Sequence, residues 1–99
     1  MPLELNHFYK CKDWHLLVYP SKEKAAATAG WEPANSTAAE YWSKELNCKV
    51  DYSEKNSIFL VLEIDEPSNE KNVFIKILFK DELGWAIFQH WMTLEEVNA

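Results

Sequence analysis

From Cys48 onward, apolar residues recur at every second position, and this period constrains the fold more than any other feature of the chain. Cys48-Lys49-Val50-Asp51-Tyr52 alternates, and Ser53-Glu54-Lys55-Asn56 reads as a turn. Ile58-Phe59-Leu60-Val61-Leu62 is apolar on both faces, as an interior strand would be. After a polar loop over residues 65–72, Val73, Ile75, Ile77 and Phe79 alternate with Phe74, Lys76, Leu78 and Lys80. A turn over Asp81-Glu82-Leu83-Gly84 leads into Trp85-Ala86-Ile87-Phe88-Gln89-His90-Trp91. Four strands joined in series by short turns make a meander.

The first half reads differently. His7-Phe8-Tyr9-Lys10-Cys11 and Trp14-His15-Leu16-Leu17-Val18-Tyr19 form a predicted N-terminal hairpin turning at Lys12-Asp13 and ended by Pro20. Ser21 caps a predicted short helix over Lys22–Ala27, with Gly30 as its stop. Thr37-Ala38-Ala39-Glu40 fits a capping box, and Ala38, Trp42 and Leu46 follow at helical spacing to Asn47. The same threonine-to-glutamate spacing from Thr93 to Glu96 predicts a closing helical turn over residues 93–97.

Ninety-nine residues suit one domain, residues 1–99, which buries only about 60–65% of its unfolded surface. Five tryptophans, five phenylalanines and four tyrosines supply the large side chains such a core needs. The reading is therefore a mainly β (α+β) fold: five or six antiparallel strands curled into a small barrel, with one helix inserted at about residues 37–46. Curling would remove exposed edges.

A resemblance supports this. The stretch from Val73 to Phe88, and Gly84-Trp85 above all, resembles the last hairpin of SH3-like small barrels, where a turn ending in Gly-Trp leads to a strand and a short helical turn. The likeness covers about a quarter of the chain. Residues 20–47 would then form an oversized loop carrying the helix. The resemblance implies binding of proteins or peptides, although a fold alone does not assign function.

Charge narrows the classes further. The net charge is −6, and all ten basic residues are lysine. Nucleic-acid affinity rests on a basic surface and on arginine forks, so an acidic chain lacking arginine is a poor candidate. The same balance disfavours an anionic membrane surface, and no apolar run approaches the ~20 residues of a spanning helix. Met1-Pro2-Leu3-Glu4-Leu5-Asn6 lacks the regions of a signal peptide, so the expected setting is the cytoplasm, with Cys11 and Cys48 reduced.

His7, Cys11 and His15 are metal-ligating types spaced by four. Within a strand, neighbours at that spacing stand ~13 Å apart at about 3.3 Å per residue, too far for one zinc ion. A hairpin would have to bring two together, with Cys48 or His90 joining. Neither cysteine lies in a nucleophile-elbow pattern, and Gly30 and Gly84 are too few for phosphate-cradling loops. The acidic pairs Asp65-Glu66, Asp81-Glu82 and Glu95-Glu96 fall in turns or at a helix start, where acids are ordinary. No catalytic group, metal or cofactor is expected.

Aromatic excess remains. Trp31, Tyr41, Trp42, Trp85, Phe88 and Trp91 could form an exposed patch of the type found at interface hot spots, or could pack the helix onto the sheet. The leading expectation is a non-enzymatic protein-binding module or accessory subunit, its acidic surface steering it to a basic partner. The alternative is a small-ligand or metal-binding protein using the His7/Cys11/His15 region.

Overall fold

A computed structural model of the protein describes residues 3–12, 15–28, 36–54, 56–65, 72–89 and 93–97. These form two antiparallel sheets and two helices. The strands are β1 (Phe8–Cys11), β2 (Leu16–Val18), β3 (Asp51–Ser53), β4 (Ile58–Asp65), β5 (Asn72–Phe79), β6 (Glu82–Gln89) and β7 (Leu94–Val97). The helices, α1 (Lys22–Ala26) and α2 (Ser36–Glu45), lie between β2 and β3. The larger sheet has the order β6-β5-β4-β1-β7, and β2 pairs with β3 in the smaller one.

The β4-β5-β6 meander agrees with the two-residue period. Its second turn is tighter than expected: Glu82 and Leu83 pair with Phe79 and Leu78, leaving Lys80 and Asp81 as the turn residues. Both have positive φ, 51° and 61°, as a two-residue hairpin turn of matching twist requires. In β4 the register with β5 shifts between Val61 and Glu63, so Leu62 is an extra residue that bends the strand.

The expected N-terminal hairpin does not form. β1 pairs with β4 and β7 in the large sheet, while β2 pairs with β3. Proximity in sequence favours a hairpin, but the apolar faces of Tyr9 and Cys11 are satisfied only beside Phe59, Val61 and Leu94. The expected helical turn at residues 93–97 is likewise a strand, β7, bonded to β1 and lowering Leu94 into the core. A single helical turn is unstable alone, so pairing with an open edge outweighs its local capping pattern.

The helices follow their sequence signals more closely, and there are two where the barrel reading inserted one. Ser21 has an extended backbone and accepts a hydrogen bond from Lys24 N–H at 3.2 Å, capping α1. In α2 the first helical residue is Ser36, so Thr37 lies inside the first turn and is not the cap. At the far end Asn47 has φ 51°, Asn47 N–H donates to Lys44 O (3.3 Å), and Cys48 N–H donates to Ser43 O (3.1 Å). This pair of reversed bonds is a Schellman stop, with asparagine in the left-handed position. Lys24 Nζ donates to the outgoing carbonyl of Leu46 at 3.0 Å, tying α1 to the end of α2.

Two apolar clusters hold these layers. The inner face of the large sheet carries Tyr9, Cys11, Phe59, Val61, Val73, Ile75, Ile77, Phe79, Ala86, Phe88 and Leu94, joined by Leu16 and Val18 of β2. The second cluster joins Leu17, Tyr19, Ala25, Ala38, Ala39 and Val50 to Phe74 on the opposite side of β5. β2 serves both because it lies along β6: Tyr19 and Trp85 exchange backbone hydrogen bonds of 2.8 and 2.7 Å. Since Tyr19 N–H faces β6, alternation turns the N–H groups of Val50 and Tyr52 away from β2. Side chains take up both. Ser43 Oγ accepts from Val50 N–H (2.9 Å), and Asp51 Oδ1 accepts from Tyr52 N–H (2.9 Å).

Candidate functional site

Residues directly opposite one another in an antiparallel sheet share a face. Across the large sheet, Val97 lies opposite Phe8, Phe8 opposite Leu60, Leu60 opposite Leu78, and Leu78 opposite Leu83. One apolar row therefore crosses all five strands on the outer face, with Ile58 beside Leu60 on β4. Four strand spacings of about 4.8 Å give it a length of ~19 Å. Phe8 is 40% exposed, Ile58 51% and Leu83 59%. The rest of this face, at Phe74, Trp85 and Ile87, is covered by the second cluster.

Charge flanks the row on both sides. Lys12 pairs with Glu95 at 3.2 Å on one side, and Lys76 pairs with Glu63 at 3.2 Å on the other. These pairs leave the outer face close to neutral in a chain whose net charge is −6. Fully covering a phenylalanine, leucine or isoleucine is worth about 1.5–3 kcal/mol each, so this row is the strongest apolar attraction among the described residues.

The aromatic residues singled out in the sequence do not converge on one patch. Phe88 is buried in the inner core, and Trp85 is half-buried against the second cluster. Tyr41 is 49% exposed and meets the half-buried Trp42 edge-on, with centroids 5.0 Å apart at 83°. Trp31 and Trp91 lie outside the described residues, as do Gly30 and His90. Phe8, Leu83 and Ile58 had no local signal; only the strand register places them together.

His7, Cys11 and His15 separate as well. Cys11 points into the inner core, and no disulfide joins it to the half-buried Cys48. The His15 ring stands 5.9 Å from that of Tyr52, and its Nδ1 has no hydrogen-bond partner among the described residues. His7 joins two carboxylates instead, Glu96 at Nδ1 and Glu4 at Nε2, the latter at 3.2 Å. The hydrogen bond to Glu96 raises the His7 pKa above its ordinary value; desolvation opposes this, and the charges of Glu96 and Glu4 add to it.

Two concavities lie among the described residues. An open groove of about 450 Å³ separates α2 from β3, lined by Ala39, Glu40, Ser43, Lys44, Val50 and Tyr52, among others. Its serine is engaged: Ser43 Oγ donates to Ala39 O at 2.7 Å while accepting from Val50 N–H. A smaller cavity of about 100 Å³ lies between Tyr19, Pro20, Lys49, Phe79, Glu82 and Leu83. Neither sets a serine or cysteine beside a histidine, the pairing that nucleophilic catalysis uses. Among the described residues, no helix is long and apolar enough to cross a membrane. No family model, curated protein or solved structure matches the chain.

Proposed function

We propose that this chain is a non-enzymatic protein-binding module or accessory subunit whose contact surface is the outer face of its large sheet. The observation that carries the reading is the row Val97, Phe8, Leu60, Leu78 and Leu83, with Ile58 beside it. The partner is a protein with an apolar contact patch on a basic surface. The charge of −6 acts at long range to draw it in, and the locally neutral row makes the contact. Lack of arginine supports a protein over a nucleic acid. The setting is the cytoplasm, where thiols such as Cys11 and Cys48 stay reduced.

We propose further that the fold is of the SH3-like kind. Support comes from the adjacency of the first and last strands, β1 and β7, the bend in β4 at Leu62, and the side chains of every strand but β3 gathered in one inner core. An affinity pull-down from the source cell extract, run in parallel with the wild type and Leu83→Lys, tests the function. The expected result is one protein recovered near stoichiometry by the wild type and lost with the variant, at unchanged thermal stability. Equal recovery by both, or none by either, removes the proposal.

A further inference from the structure

Glu4 and His7 stand three residues apart just ahead of β1, Glu96 lies on β7, and each backbone is held by a contact beside the buried Tyr9. Glu4 N–H donates to Tyr9 Oη at 2.8 Å, Val61 N–H donates to His7 O at 3.1 Å, and Glu96 lies opposite Tyr9 in the β1–β7 ladder. Fixed backbones are what a ligand set needs if its side chains are to converge without a large ordering cost. One ligand atom from each residue lies within 4.8 Å of the other two. Zinc bonds of about 2.0–2.2 Å place tetrahedral ligands about 3.4 Å apart, so closing on an ion takes a rearrangement of the exposed carboxylate side chains.

We propose that Glu4, His7 and Glu96 form a binding site for a divalent transition metal of the zinc type, with a fourth position open to water or to a donor from a partner. Two carboxylates and a neutral imidazole carry charge −2, which the ion neutralises. The imidazole selects against magnesium and calcium, which favour all-oxygen sites. Because the ring must be neutral to ligate, uptake of the metal releases its proton. In the structure Glu96 sits at Nδ1 and Glu4 at Nε2. An ion at Nε2 beside Glu4 draws the exposed Glu96 carboxylate around the ring edge, a movement its side-chain torsions supply.

The test is titration of the full chain with zinc alone near neutral pH, followed by calorimetry and by the nitrogen resonances of the His7 ring. Binding of one zinc per chain that shifts those resonances, survives Cys48→Ser and weakens about tenfold or more in His7→Gln and Glu96→Gln is the expected result. Circular dichroism of each variant separates ligand loss from misfolding, since all three substituted side chains lie at or near the surface. Magnesium at the same concentrations leaves the ring unshifted. Failure of zinc to move the His7 resonances, equal affinity in His7→Gln, or loss of binding in Cys48→Ser overturns the proposal.

Discussion

Gly84 of β6 lies directly under Val18 of β2. A Cβ on Gly84 would overlap Val18 Cγ1 and stand 3.2 Å from Tyr19 O. The glycine is what lets β2 lie along β6 and exchange the Tyr19–Trp85 hydrogen bonds, so it joins the two sheets. Gly84→Ala is expected to destabilise the fold by about 1–3 kcal/mol, because Val18 can give way but the Tyr19 backbone cannot. Chemical denaturation measures this; a change under about 0.5 kcal/mol would show that the close approach relaxes freely.

Leu94 is 4% exposed and is the part of β7 that reaches the inner core. Leu94→Ala is expected to cost about 2–5 kcal/mol, where a surface helical turn would lose almost nothing. Hydrogen exchange is the second readout: the amides of Lys10 and Lys12, which face β7, should lose protection before those of β5.

Tyr19 and Thr28 share a buried hydrogen bond of 2.7 Å. Burial raises the Tyr19 pKa above its ordinary value of 10.0, the Thr28 hydroxyl lowers it in part, and Cys48 adds a small upward push. The protonated phenol is favoured in the folded state, so its contribution is complete below the unfolded value and is lost as pH rises through the folded one. Alkaline titration by ultraviolet absorbance should show one tyrosine ionising late, in step with unfolding. In Thr28→Val that step should move down, since a fold that has lost the buried Tyr19–Thr28 hydrogen bond unfolds at lower pH.

His7 has a pKa raised in the same direction at the surface, there by an ion pair. Its pKa is raised, mainly by Glu96, so the ion pair is complete below the ordinary value of 6.5 and fades as pH rises through the raised folded value. In chelator-treated buffer, the ring proton resonances should titrate with a midpoint above that of a model imidazole. Glu96→Gln should bring the midpoint down. A midpoint unmoved by this substitution would show that the pair does not form in solution.

How far the sequence foretold this arrangement depends on the range of each interaction. Ser21 capping α1 and Asn47 stopping α2 are local events, and both were readable. So was the alternation from Val73 to Phe79, although burial of Phe74 on the second face depends on Ala25, Ala38 and Ala39 of helices distant in the sequence. Pairing partners were not readable. Phe8 lies opposite Leu60 and Val97 through strand pairings that no local pattern encodes, so the hairpin expected of β1 and β2 failed, and so did the helical turn expected at Leu94. The apolar row and the Glu4–His7–Glu96 cluster are products of that register. Each draws residues from both ends of the chain.

The capped edge of β3 bears on how copies of this protein can join. Ser43 Oγ and Asp51 Oδ1 already hold the outward N–H groups of Val50 and Tyr52, and β2 and α1 pack along β6. That leaves β7 as the end of the sheet with no further strand among the described residues. A fibre grown by strand addition needs two open edges per molecule, and the described residues offer a single edge. Two molecules meeting β7 to β7 would use it up, so association of that kind is self-terminating at a pair.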